Sequence, residues 1–424
     1  MANTPSSKAT LEGRYTFPPD ADEGTKVLLE EVARIRRLIP ANTVDLCVRR
    51  SGWSNKWRKA KEKTSSSHSR FHFSHYIAGA TSPVISHHHS FKASICSSRG
   101  FALDRWKQGL TCILEKIPGN CLVTKLRAIL LMEADFNANN KIVFGDRMMA
   151  VLRRYGLMEN EVFSEKGRTA EEGALSKLLF YDIVRQFRLP AGISSVDASN
   201  CYDSIAHAIA SLIFQAVGVP VGGVEAMLEA IQDMGYFLRT AYGDSTTCAN
   251  SRIDVKYQGL CQGNGAAPAG WAAISITVLR AHKKKGHGAT FMCPVSKEQF
   301  VLAAVLFVDD CDLIHIDMVN DESPLETFDK MQASVRNWGQ LLIATRGAYK
   351  PEKCFHHLIS FQWDRRGKWS YQDNHGGVEY EMRVPMPDGS EVLIDHLPVT
   401  QARETLGVWS SPDGNETESL TQMK

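Results

Sequence analysis

The sequence predicts an α+β fold, and three observations carry that prediction. Helical and strand-like segments are mixed without the regular strand–helix alternation of a doubly wound sheet. Two apolar runs, residues 301–308 and 313–316, flank Asp309-Asp310 like the arms of a hairpin. Beyond Phe361 the chain turns strand-like, with turn signals at Arg366-Gly367, Pro387-Asp388-Gly389 and Pro412-Asp413-Gly414.

Residues 1–25 are rich in Pro, Ser and Asp and are expected to lack regular structure. Val27, Leu28, Val32, Ile35 and Leu38 then recur at helical spacing, and Pro40 closes that helix. Residues 49–63 hold seven basic residues and one acidic one, interleaved with Trp53 and Trp57. Such a strip can track phosphates and stack bases; it can equally be a solvated helix face with aromatic anchors. Residues 64–70 read as a loop. Residues 101–115 read as a helix closed by Pro118-Gly119, and residues 126–132 as a short strand. Amphipathic helices follow over 147–155 and 170–187. Pro190-Ala191-Gly192 leads into a strand over 193–197 that ends in Asp197. Helices are expected over 204–217, 222–240 and 325–344, and no internal repeat is visible.

With 424 residues the chain is long enough for two or three structural units. At 43% hydrophobic and 23% charged, it has the composition of a globular protein with a sizeable core. No run of about 18 apolar residues predicts a membrane span. The polar start carries no signal-peptide core. Ten scattered cysteines without a Cys-x-x-Cys pair argue against a zinc or disulfide framework and for a reducing, intracellular compartment. A net charge of +2 decides nothing about nucleic acid.

The informative feature is a pair of acidic strand ends, at Asp197 and at Asp309-Asp310. Carboxylates are rarely buried without a partner, and a divalent ion is one such partner. Magnesium takes oxygen ligands, with water and substrate phosphates completing its shell. Either acidic site alone is equally a polar turn. Between them lies Gln258-Gly259-Leu260-Cys261-Gln262-Gly263, then Ala267-Pro268. Its glycines let a backbone approach something closely, and an adjacent glutamine amide could contact a nucleotide or template base.

This ordered set resembles the palm motifs of reverse transcriptases, most of all those of non-LTR retrotransposons and group II introns. Asp197-Ala198-Ser199-Asn200-Cys201-Tyr202-Asp203 resembles the first motif, an aspartate with an aromatic five residues on. The glutamine–glycine stretch resembles the second, and Phe307-Val308-Asp309-Asp310 the third. Arg346-Gly347-Ala348-Tyr349-Lys350-Pro351-Glu352-Lys353 resembles the fourth, and Thr405-Leu406-Gly407-Val408 the strand of the primer-grip region. Upstream and more loosely, residues 70–80, containing Phe73-Ser74-His75-Tyr76, resemble a phrase that precedes the fingers, and residues 163–170 resemble a fingers motif.

The resemblance implies a right-hand polymerase of fingers and palm, with a central antiparallel palm sheet. Residues 1–64 would be an N-terminal extension, disordered and then helical; 65–190 fingers; 191–360 palm; and 361–424 a β-rich primer-grip region ending where a thumb would begin. The chain is then expected to be a fragment of a mobile-element polyprotein. By the same resemblance, Asp197 and Asp309 would bind two magnesium ions, or manganese, with Asp310 assisting. A primer 3′-hydroxyl would attack the α-phosphate of a deoxynucleoside triphosphate. Tyr202 would be a steric gate against ribose, or else a core aromatic. Gln262 and Gly263 would meet the incoming nucleotide and template. Lys125, Arg127, Lys141 and Arg147 stand where fingers cations meet the triphosphate, or are surface cations. Lys353 would protonate pyrophosphate, or be a surface lysine. Partners would be an RNA template, a DNA or RNA primer and deoxynucleotides, with no membrane.

Several residues depart from the family pattern. Cys261 replaces a proline, Ala267 a serine, Phe307 a tyrosine, and Ser74, Ser164 and Arg346 glycines. None removes a proposed metal ligand. The rival readings are a catalytically inert nucleic-acid-binding remnant or domesticated fragment, and an RNA-dependent RNA polymerase, which Tyr202 and the paired Gln-Gly argue against. The reverse-transcriptase reading requires the Asp197 and Asp309 carboxylates to meet. Two polar runs stay open: His87-His88-His89 as metal ligands or a polar loop, and Lys283-Lys284-Lys285 as a nucleic-acid contact or a solvated loop.

Overall fold

The computed structural model describes residues 3–61, 67–199, 201–252, 255–372 and 380–422. Lys63, residues 64–66 of the expected loop, and Asn200 lie outside the described residues. The fold is α+β, with helices packed on small mixed sheets. It divides into two compact units, one of Met1–Thr16, Val32–Leu157 and Tyr202–Ile274, the other of Phe17–Glu31, Met158–Cys201 and Ser275–Lys424. No described helix is long and apolar enough to cross a membrane.

The first unit contains a four-stranded sheet in the order Leu126–Leu131, Gln108–Glu115, Gly235–Thr240, Gly243–Asp244. Two of these strands correct the sequence reading. Residues 101–115 form a 3-10 turn at Asp104–Lys107 and then a strand, and the helix expected over 222–240 stops at Gln232. The two missed strands are parallel partners, Gln108 opposite Gly235 and Leu110 opposite Phe237. A short apolar run carries no period of its own, so only its distant partner makes it a strand. Gly109 serves this pairing: a Cβ there would stand 2.6 Å from Leu130 Cδ1 and Met234 Sδ.

The basic strip folds as the helix Arg50–Arg58. Trp53 and Trp57 are 3% and 1% exposed, in a core with Tyr76, Ala93 and Ile142. Trp57 stacks on Tyr76 at a ring separation of 4.5 Å. The tryptophans are therefore anchors and are not open to bases, which corrects the stacking alternative. His87–His89 lie within the helix Pro83–Arg99, not in a loop, and His89 stacks on Trp53. Pro5–Leu11, expected to lack regular structure, form a helix with a capping box between Thr4 and Ser7.

The second unit is built on a five-stranded sheet in the order Asp395–His396, Phe355–Ile359, Ala191–Asp197, Asp310–Ile316, Ala304–Phe307. All seven residues of the strand Ala191–Asp197 are buried. Side chains alternate across a strand, so its two faces meet different helices. Gly192 faces Met331 of the helix Pro324–Ala344 so closely that a Cβ would overlap its Sδ. Ala191 and Ile193 pack with Phe180, Tyr181 and Val184 of the helix Ala170–Phe187. Both helices begin where the sequence places them, at capping boxes of Thr169 with Glu172 and Ser323 with Glu326. Lys283 to Lys285 are not a solvated loop. They close the helix Ala267–Lys284, with Lys283 on Glu159 and Glu161 at 2.9 and 2.8 Å and Lys285 on Glu23 at 2.7 Å.

Candidate functional site

Asp197 ends the central strand of the second unit, and its cross-strand partner is Asp310, the first residue of the next strand. Residues directly opposite in an antiparallel pair point to the same face, with Cβ atoms about 5 Å apart. The hairpin behind Asp310 closes in two residues, Val308 and Asp309, between the paired Phe307 and Asp310. Val308 takes φ 57°, a left-handed conformation that a β-branched residue adopts only under constraint. Asp309 turns its carbonyl toward the Ala198 amide at 3.4 Å. The three aspartates thus gather at one end of the sheet.

The segment 346–353 lies alongside them. Arg346 holds φ 72° just past the helix Pro324–Ala344, the left-handed position that favours glycine after a helix end. Lys350 donates its amide to the Asp197 carbonyl at 3.0 Å, and the turn Pro351–Lys353 brings the Lys353 ammonium onto Asp197 Oδ2 at 2.5 Å. That hydrogen bond, with the nearby charges of Asp197, Asp309 and Asp310, raises Lys353 above its ordinary value.

A cavity of about 370 Å³ opens over this end of the sheet, lined by Asp197, Asp310, Asp312, Lys353, Arg403 and the turn Leu406-Gly407. Leu406 and Gly407, at φ 56° and 74°, form the two-residue turn between the strands Arg403–Thr405 and Val408–Ser410. Asp310 reaches solvent at the cavity mouth, yet protein packs closely around its carboxyl. That desolvation, and then the charges of Asp309, Asp197 and Asp312, push it up to about 6 against the pull of Lys353.

Among the described residues no three His, Cys, Asp or Glu side chains converge to hold an ion by themselves. Magnesium does not need such a cage: one or two carboxylates with waters and substrate phosphates suffice. Two opposed aspartates, a third in the adjoining turn and an ammonium bound to one of them fit that pattern. The carboxylates are hard oxygen donors, and the ammonium already neutralises part of their charge.

The remaining expected residues belong to the first unit. Gly259 and Gly263 do admit a close backbone, but it is the protein's own. A Cβ on Gly263 would stand 2.1 Å from the Leu130 carbonyl oxygen, and one on Gly259 2.6 Å from that of Asp203. Leu130 donates its amide to the Gln262 carbonyl at 2.9 Å, and the Gln262 amide donates to Asp203 Oδ1 at 3.2 Å. Cys261 holds φ 65°, which proline cannot adopt, so this loop differs locally from the pattern it resembles. Tyr202 is half-buried, edge-on to Trp271 at 6.5 Å, and its carbonyl accepts from the Leu260 amide at 2.6 Å.

Lys125 and Arg127 are exposed beside and on the strand Leu126–Leu131, whose far end meets Gln262. Lys141 is exposed at the start of the π-helix Lys141–Met148 and lines a second cavity, of about 520 Å³, together with Trp57, Phe73 and Gly265. Arg147 is committed to structure: its guanidinium donates to the carbonyls of Asp45 and Cys47, the latter at 3.0 Å.

Sequence reasoning missed Asp312, Ser195 and Lys177. Ser195 and Asp312 are cross-strand partners one rung below Asp197 and Asp310, and the Ser195 hydroxyl donates to Asp312 Oδ1. Lys177 Nζ stands 3.2 Å from Asp312 Oδ2. The signal for Asp312 was present: in a strand, Asp310 and Asp312 share a face. Lys177 gave none, since a lysine in an amphipathic helix reads as solvated.

No protein-family model matches this chain, and no curated protein matches it.

Proposed function

We propose that the chain is an RNA-directed DNA polymerase core, a palm with fingers that joins deoxynucleotides to a primer 3′-hydroxyl on an RNA template. The observation that carries this reading is the meeting of Asp197, Asp309 and Asp310 at one end of a single antiparallel sheet, with Lys353 on Asp197. That end is supplied by the segments that resemble the first, third and fourth motifs and by the turn Leu406-Gly407, while the segment that resembles the second lies in the first unit. Asp197, Asp309 and Asp310 would hold magnesium, which when bound lowers the barrier to nucleotidyl transfer by neutralising charge on the phosphates and the attacking hydroxyl. The protein's own part is positioning. The strand pairing sets the separation of Asp197 and Asp310, and the constrained Val308 turn fixes Asp309. Lys353 holds a proton next to the carboxylates, where a leaving pyrophosphate would take it.

The second reading, an inert nucleic-acid-binding remnant, draws on Cys261 and Arg147, whose geometry departs from the roles the resemblance implies. Primer extension separates the two. The chain is incubated with a primed RNA template, deoxynucleotides and magnesium or manganese, beside Asp309→Ala. Extension by the unaltered chain alone supports the polymerase. RNA bound without extension by either chain would leave the remnant.

A further inference from the structure

The helix Ala170–Phe187 covers the face of the sheet that carries Asp197 and Asp310. Its turns descend that face in step with the strand: Val184 and Phe180 lie among Ala191 and Ile193, and the next turn presents Lys177 to Asp312, the partner of Ser195. An apolar side chain would continue the core there. Instead the lysine and the aspartate are side-chain exposed by only 3% and 5%.

Burying an ion is costly unless it is paired and its remaining valences are met. Here they are met. The ammonium faces Asp312 Oδ2 at 3.2 Å, donates to Thr405 Oγ1 at 2.7 Å and lies 5.9 Å from the centre of the Phe355 ring. The Ser195 hydroxyl takes the other oxygen of Asp312. These partners come from four elements. Two of them, the Asp310–Ile316 strand and the hairpin carrying Leu406 and Gly407, are the floor and wall of the cavity over Asp197.

Without the ammonium, Asp312 would be an unneutralised carboxylate two residues from Asp310 on the same face, a distance of about 7 Å. It would add to the negative field at the cavity and be free to turn toward a cation there. We infer that Lys177 is a positioning residue: it neutralises Asp312, confines cation binding to Asp197, Asp309 and Asp310, and ties that carboxylate floor to the Thr405 hairpin. The inference rests on the ion-site reading above.

The test is Mn2+ binding to the full chain, followed by electron paramagnetic resonance of the free ion, which needs no turnover. One unit charge at this range changes the affinity of a divalent ion by about tenfold or more. Lys177→Met should therefore bind Mn2+ about tenfold tighter than the unaltered chain, and Asp312→Asn about tenfold weaker. The double variant, with both charges gone, should return to within about threefold of the unaltered chain. Either folded single variant with unaltered affinity overturns the inference, as does a double variant displaced as far as a single one. If Lys177→Met does not fold, Asp312→Asn and the double variant decide by the same criteria. Asp310→Asn separates this from the parent reading. If it binds Mn2+ as the unaltered chain does, the ion site itself is wrong and the inference falls with it. If it loses Mn2+ while the Lys177 and Asp312 variants keep the unaltered affinity, the inference alone falls.

Discussion

The Lys353 ammonium donates to Asp197 Oδ2 at 2.5 Å, beside the cavity that Asp197 shares with Asp310. The lysine side chain is 54% exposed, but that of Asp197 is only 12% exposed, so removing the cation leaves a poorly solvated carboxylate unpaired. Lys353→Met should therefore lower the melting temperature by a few degrees. As a proton donor to pyrophosphate it would matter far more, and the substitution should slow primer extension by about 100-fold. Unchanged extension would make Lys353 a surface lysine.

Asp310 gives a second, opposite signature. Its carboxyl is held above its ordinary 3.8, at about 6, so the fold prefers it protonated. The sign follows: its contribution to stability is full below about pH 3.8 and is lost as pH rises through about 6. Asp310→Asn should raise the melting temperature at pH 7.5, lose that gain near pH 4, and abolish extension. A melting temperature lowered at pH 7.5 would refute the account of its surroundings.

Acid should unfold the second unit steeply. Burial holds His282, His356 and His357 down at about 3, so they are neutral in the fold. A depressed histidine contributes stability above its unfolded value, near 6.5, and that contribution is lost as pH falls toward 3. Three such groups together cost about 4 kcal/mol per pH unit below pH 6. Neither ring nitrogen of His356 makes a hydrogen bond of good geometry, and its one close polar neighbour is the Asp395 backbone, so His356→Phe gives up little. Urea midpoints between pH 7.5 and 5 should show a shallower slope in that variant. A slope equal to the unaltered chain's would show that His356 does not take up the proton.

Gly263→Ala should destabilise the first unit by about 3 kcal/mol or more. The added Cβ meets the Leu130 carbonyl oxygen at 2.1 Å, and φ at 120° is strained for any side chain. Urea denaturation of the variant beside the unaltered chain checks it. A loss below about 1 kcal/mol would mean that the loop yields easily.

How much of this was legible depended on the range of the forces involved. The helices expected over 170–187 and 325–344 were legible through their apolar period, and the capping boxes Thr169–Glu172 and Ser323–Glu326 that start them act within one turn. The strands Gln108–Glu115 and Gly235–Thr240 did not, because each is held by the other across more than a hundred residues.

Residue type alone set the identity and order of the acidic turns and the glycines at 259 and 263. These features are local. The fold sets Asp197 opposite Asp310, brings Gly263 against the Leu130 backbone, takes Trp53 and Trp57 into the core, and buries Lys177 against Asp312. Those are questions of register and burial, which depend on which distant segment arrives and what it displaces from water.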